Sequence, residues 1–410
     1  MSGRHSQPEP AGAEVPGVIE ATDVPLGPLT TLRVGGPASR IVEPTGEPAL
    51  LQTALGVWRT GDDWVVLGGG SNVVVSDDGF DGTVIRVATR GIARIVAPSG
   101  AVRLRVQAGE PWDDLVAYTV EHGWSGLEAL SGIPGSTGAS PIQNIGAYGQ
   151  EVGDSLVSVD FLDYGTGRVE RIARDELELG YRTSVFKRGK RGVVLSVTFS
   201  LTDAGTDASA LGDPIVYPQL AQALGVSVGD RVPLVDVRRA VLTLRASKGM
   251  VLDASDPDSV SAGSFFTNPI VGENFARGLP SDAPRWLVEP EAAPVVVALP
   301  DPATGLSLDV SARLDASVAG ASGAGASRTA REPQVKLSAA WLIERAGITR
   351  GFSLPGSRAA ISSKHTLAIV NRGGASAADI GELARYIQNR VSAEFGVLLH
   401  PEPVYVGSAN

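Results

Sequence analysis

The sequence predicts a protein of mixed helix and strand, divided into two or three domains. Three observations carry this reading. The chain has 410 residues, more than one hydrophobic core usually serves. Short runs with strand alternation fill its first half, whereas helical periodicities dominate its second. A compositionally loose stretch, residues 202–213, lies between them and marks a candidate boundary.

The elements follow in order. Residues 1–18 are rich in Pro, Gly and Glu and are expected to be disordered. Trp64–Leu67 reads as a short strand running into Gly68-Gly69-Gly70-Ser71-Asn72, and Val73-Val74-Val75 beyond it is again strand-like. Thr83–Ala88 and Ala101–Ala108 alternate as strands. Pro111–His122 reads as a helix closed by Gly123. A second glycine-rich loop, Ser131–Gly138, follows. Leu156–Leu162 and Arg168–Ile172 flank Tyr164-Gly165-Thr166-Gly167, a hairpin signal, and Gly192–Leu201 is a further strand. Leu234–Ala246 is a helix with Leu234, Val237, Val241 and Leu244 on one face. Leu337–Ala346 reads as a helix closed by Gly347. Asp379–Phe395 is the clearest amphipathic helix, with Ile380, Leu383, Ile387 and Val391 at helical spacing. Residues 301–333, dominated by Ala, Ser, Gly and Asp, read as a surface insertion with little structure.

Composition excludes several functions. Hydrophobic residues make up 43% and charged residues 20%, ordinary for a soluble globular protein. A net charge of −10 argues against nucleic acid or an anionic membrane as a bulk partner, so an anionic ligand needs local donors. There is no cysteine, which removes disulfides, thiolate catalysis and thiolate metal sites. No apolar run is long enough to span a membrane and the N-terminus has no signal pattern, so a cytoplasmic location is expected. No His, Asp and Glu cluster has metal spacing, and no metal is expected.

Glycine loops after strands present backbone N–H groups that bind phosphate without positive charge, which suits an acidic chain. Gly68–Asn72 is neither a Rossmann nor a Walker loop, because no helix or Gly-Lys-Ser/Thr follows it. Alone, either loop could be a tight turn. The second, however, leads into Pro141-Ile142-Gln143-Asn144-Ile145-Gly146-Ala147-Tyr148-Gly149, where amides alternate with small apolar residues. A flavin ring with its polar edge suits that combination. Elsewhere, Gly263-Ser264-Phe265-Phe266-Thr267-Asn268-Pro269 sets a serine between a permissive glycine and two aromatics. Ser264 lacks a Gly-x-Ser-x-Gly elbow, and the chain has only four histidines to serve as base.

These motifs resemble the UDP-N-acetylenolpyruvoylglucosamine reductase family. The residues concerned are Gly68–Asn72, Gly132–Ala139, Gln143–Gly149, Thr30-Thr31-Leu32-Arg33-Val34-Gly35-Gly36, Tyr181-Arg182-Thr183-Ser184, Gly263–Pro269 and His400-Pro401-Glu402, in the family's order. The likeness spans about residues 22–406, with 301–333 unmatched. It implies an α+β fold, with an FAD-binding domain of the vanillyl-alcohol-oxidase (PCMH) type in two subdomains, 19–95 and 96–205. A C-terminal α+β substrate domain, 213–400, and a segment 401–410 carrying Glu402 would follow.

The implied activity is reduction of UDP-N-acetylenolpyruvoylglucosamine to UDP-N-acetylmuramate in peptidoglycan precursor synthesis, hence in cell-wall growth, shape and division. NADPH would reduce non-covalent FAD, and hydride would then pass to the enolpyruvyl double bond. The resemblance assigns FAD contacts to Gly68, Gly69, Gly70, Ser71, Asn72, Gly132, Ile133, Pro134, Gly135, Ser136, Gly138, Ala139, Gln143, Asn144, Gly146 and Ala147. It assigns catalysis to Arg182, Glu402 and Ser264, the last as proton donor to C2. Substrate contacts fall to Tyr217, Arg245, Lys248 and Asn268. Taken singly, Arg182 reads as an ordinary ion pair, Glu402 as a solvated carboxylate, Ser264 as a turn hydroxyl and Lys248 as a helix cap. Only their joint occurrence favours catalysis. Thr267 stands where the family often has lysine, and His365 reads as structural. A different flavoenzyme on the same fold, or a nucleotide-sugar binder without turnover, are the competing readings. A monomer is expected.

Overall fold

The computed structural model describes residues 17–98, 100–205, 210–288 and 333–407. Most of the expected disordered N-terminus and of the 301–333 insertion lie outside these residues; the first strand starts at Val18. The chain forms two compact units, one of residues 1–267 and 342–410, the other of residues 268–341.

In the first unit, a four-stranded sheet runs in the order Val18–Pro25, Pro37–Pro44, Phe80–Arg86, Trp64–Leu67. The first pair is antiparallel and the other two pairs are parallel. Parallel neighbours need a crossover, and the helix Glu47–Thr60 lies between the second and third of these strands in sequence. It turns Leu50, Ala54 and Val57 inward and ends at Gly61, whose φ is +78°.

A second sheet is antiparallel throughout, in the order Val169–Ala173, Leu156–Asp163, Gly192–Asp203, Ala101–Gln107, Ile92–Ile95. Alternation dictates its faces. Val102, Leu104 and Val106 point into the core, while Arg105 on the opposite face donates to Glu47 and Asp160. The helix Trp112–Glu121 adds Trp112, Leu115 and Val116 to the same core. Each such side chain contributes about 1.5–3 kcal/mol by leaving water.

The helices Pro218–Leu224 and Leu234–Ala246 share a smaller core of Leu220, Ala221, Val237 and Val241 with Ile215 and Val232. Ala359–Ile361 and Ile369–Asn371 form a hairpin against the helix Ala377–Phe395, whose Ile380, Leu383, Ile387 and Val391 are fully buried. Ser376 and Asp379 cap that helix reciprocally. One pairing is not local at all. The strand Val404–Val406 lies parallel to Val73–Val75, directly beyond the first glycine loop.

The second unit is a three-stranded antiparallel sheet with Gln334–Leu337 between Ile270–Gly272 and Arg285–Val288, plus the short helix Glu273–Arg277. The helix expected over 337–346 is shorter, Ala339–Arg345, because Val335 and Leu337 are buried alternately as the end of a strand. Among the described residues no helix is long and apolar enough to cross a membrane.

Candidate active site

The two glycine loops touch each other. A Cβ on Gly69 would lie 2.6 Å from Gly135 Cα, and one on Gly68 would lie 2.5 Å from Ser136 Oγ. Gly70 has φ +63° and leaves 2.1 Å between a Cβ and Leu29 O, so no other residue fits there. The motif Thr30–Gly36 explains itself as a brace: Thr31 N–H donates to Gly70 O, and Thr31 Oγ1 donates to Ser261 O. Among the described residues the N–H groups of Gly68, Gly69, Gly70 and Ser71 meet no acceptor. Unspent donors of this kind form an anion-binding nest.

Three adjoining cavities follow the loops. An apolar one of about 430 Å³ is lined by Trp64, Phe161, Phe186, Gly138 and Ala139. It shares Gly68 and Ser136 with one of about 180 Å³ lined by Gly68–Val73, Pro134, Gly135 and Gln143. That cavity shares Ser71, Asn72, Pro134 and Gln143 with one of about 120 Å³ lined by Ile133, Gly146, Arg182, Arg245, Ser264 and Glu402. An aromatic-walled end, a phosphate nest and a polar end, in that order, fit the base, diphosphate and flavin ring of FAD.

The polar end is held by backbone ladders. Phe265 and Phe266 are fully buried and meet edge to face at 5.3 Å. Phe265 N–H donates to Leu367 O at 2.7 Å, and Phe265 O accepts from Glu402 N–H at 2.9 Å. Thr267 N–H donates to His400 O. Ser264 and Glu402 therefore sit on neighbouring strands of chain, although far apart in sequence. Thr267 is occupied with that ladder. Ser264 Oγ has no partner among the described residues and lines the small cavity.

Glu402 is fixed from three sides. Asn72 Nδ2 donates to Gln143 Oε1 at 2.8 Å and to Glu402 O at 3.3 Å, and Val404 N–H donates to Asn72 O. Gln143 Nε2 donates to Glu402 Oε1 at 3.0 Å. The Arg182 guanidinium lies 3.6 Å from the same oxygen. Burial pushes the Glu402 carboxyl above its usual range, opposed by Arg182, Lys187 and Gln143. Arg182 itself has φ +54°, a conformation that non-glycine residues seldom adopt. It donates to Gly146 O at 2.9 Å and Asn144 O at 3.3 Å, which aims the guanidinium at the cavity.

Other expected residues divide. Asn144 is buried with its amide spent on structure: Nδ2 donates to Glu151 and Gly180 O, and Oδ1 accepts from Gly153 N–H. Gly132 N–H donates to Asp113 at 2.6 Å. Ala147 pairs with Gln150 in a small hairpin. Gly132, Asn144 and Ala147 line none of the three cavities. Arg245 is buried, donates to Met250 O and keeps an Nε with no partner; burial pushes its pKa down to about 10. Lys248 donates to Gln219 and stands 5.7 Å from the Tyr148 ring, which meets Tyr217 edge to face. Asn268 belongs to the second unit, where its Oδ1 accepts from Ala339 N–H. His365 lines none of these three cavities, and burial, helped by Lys248, pushes its pKa down to about 4. Lys187 lines the middle cavity and was not anticipated. Its only signal in sequence is that it follows the Tyr181–Ser184 motif by three residues.

Fold and site together define a dinucleotide-cradling protein with an acid, a guanidinium and a hydroxyl at one end of the cradle. A family model described as FAD binding domain matches residues 38–173, and one described as UDP-N-acetylenolpyruvoylglucosamine reductase, C-terminal domain, matches residues 256–406. A UDP-N-acetylenolpyruvoylglucosamine reductase of Leifsonia xyli is 60% identical over 94% of this chain and 99% of its own. The protein of that name from Streptomyces coelicolor is 43% identical over 100% of this chain and 97% of its own. A crystal structure of UDP-N-acetylenolpyruvylglucosamine reductase from Thermus caldophilus covers 95% of this chain and 99% of its own, at 25% identity and a TM-score of 0.55. The chain belongs to the UDP-N-acetylenolpyruvoylglucosamine reductase family, with the α+β fold and FAD-binding domain that the sequence motifs imply.

Proposed function

We propose that the chain reduces UDP-N-acetylenolpyruvoylglucosamine to UDP-N-acetylmuramate, with FAD as bound cofactor and NADPH as hydride source, as a cytoplasmic monomer in peptidoglycan precursor synthesis. The convergence of Arg182, Ser264 and Glu402 on one small cavity beside the phosphate nest is the observation that supports this most. FAD, when bound, supplies the hydride chemistry. The chain manages charge and protons. Arg182 pairs with the substrate carboxylate through its planar fork and stabilises the negative charge that develops there as the double bond is reduced. Glu402, whose burial favours the neutral acid, shares that carboxylate without like-charge repulsion. Ser264 gives its proton to C2; the hydroxyl is a weak acid, but a carbon-centred base is far stronger than the alkoxide left behind.

Lys248 and Arg245, with Tyr217, are the donors for the substrate diphosphate in this reading. Residues 19–205 then form the cofactor part and 213–400 the substrate part. The test is Ser264→Ala. Purified protein should be yellow and bleach with NADPH in both forms, but only the wild type should recover its colour on adding the enolpyruvyl substrate. A colourless wild type, or wild-type turnover in the variant, overturns the reading.

A further inference from the structure

We propose that Lys187, to which the motifs assign no role, provides the positive charge for the FAD diphosphate. This rests on the FAD reading above and adds a residue to it. Among the described residues that line the middle cavity, Lys187 is the single charged one. The cavity's other donors are the unspent N–H groups of Gly68–Ser71. Lys187 Nζ donates to Glu402 O at 3.2 Å, the same carbonyl that accepts from Asn72 Nδ2 at the end of the glycine loop. That shared acceptor fixes the ammonium beside the nest.

Two of its three donors have no protein partner, and among the described residues no carboxylate lies within ion-pair distance. Burial pulls the Lys187 ammonium below its ordinary pKa, with Glu402 opposing. Lys187 as a whole is exposed, so its two remaining donors are open to an incoming anion. A diphosphate carries two negative charges; the neutral nest can hydrogen-bond them but not neutralise them. In a chain of net charge −10, a lysine beside the nest adds the neutralising charge that the nest itself lacks.

The experiment uses apoprotein prepared by removing the flavin, titrated with FAD and with riboflavin, which has the ring and ribityl chain but no phosphate. Flavin fluorescence reads both affinities. Lys187→Gln should weaken FAD roughly 10- to 100-fold, the range for a charge-assisted hydrogen bond, and leave riboflavin unchanged. The wild type's FAD affinity should fall as salt rises, and the variant's should respond less. Lys187→Arg should recover most of the FAD affinity. Equal losses for FAD and riboflavin would mean that Lys187 serves the ring or only props Glu402, and would overturn the assignment. So would unchanged FAD binding in Lys187→Gln. A wild type that binds no FAD fails the functional reading instead.

Discussion

Gly69→Ala is the most direct probe of the cradle. Gly69 does not have a left-handed φ, so adding a methyl tests space and not backbone conformation. The new Cβ would lie 2.6 Å from Gly135 Cα and 2.9 Å from Gly135 C, both backbone atoms that cannot swing aside. Ordinary contact begins near 3.4 Å, so the two loops must part by about 0.8 Å. Overpacking of that size costs about 1–3 kcal/mol. In the apoprotein the loops can splay and relieve part of it, whereas binding a diphosphate against both loops reimposes it. The FAD dissociation constant should therefore rise roughly 5- to 160-fold. Titration of apoprotein with FAD measures this, with thermal unfolding run alongside. Gly56→Ala is the control. Gly56 lies mid-helix with nothing within 4 Å of a Cβ, so the change should stabilise by about 0.5–1 kcal/mol and leave FAD binding alone. Wild-type FAD affinity and wild-type unfolding temperature in Gly69→Ala would refute the packing of the loops.

Glu402→Gln should separate stability from function. Because burial raises the folded pKa of Glu402 above the unfolded 4.5, its contribution to stability is full below that value and is lost as pH rises through the folded value. The variant should thus match wild type in unfolding temperature at acid pH and exceed it at alkaline pH, while losing turnover; a difference that does not vary with pH would contradict this. Asn144→Ala should lower stability by about 1–3 kcal/mol in urea unfolding, because Gly153 N–H and the Glu151 carboxylate each lose a buried partner. If Asn144→Ala unfolds like wild type, the amide is not the brace described.

Local patterns were legible in the sequence. Trp64–Leu67 and Leu234–Ala246 have the bounds their periodicity predicts. The helix Glu47–Thr60 was not seen, for its start has no capping side chain and it contains Pro48 and Gly56. The strand Pro37–Pro44 hides behind a proline at each end. Arg182, Ser264 and Glu402 were legible only as motifs, since their meeting depends on the pairing of Val404–Val406 with Val73–Val75 and on the Phe265–Glu402 ladder. Nothing local encodes either. Asn144 shows the opposite limit: an amide between apolar residues looks the same in sequence whether it faces a ligand or, as here, Glu151 and Gly153. Lys187 was overlooked because one of four basic residues in the stretch Lys187-Arg188-Gly189-Lys190-Arg191 carries no pattern.

The pairing of residues 404–406 with 73–75 has a temporal meaning. Asn72 and Glu402 are 330 residues apart, so this contact is among the last that a chain emerging from the ribosome can make. The cradle loops and both sheets belong to residues synthesised much earlier and can fold as they appear. A nascent chain ending before residue 400 would hold the two glycine loops without the Glu402 carboxyl beside them. Closure by the strand Val404–Val406 then acts as a completeness check, because the Glu402 carboxyl reaches Gln143 and Arg182 only when the rest of the fold exists to receive it.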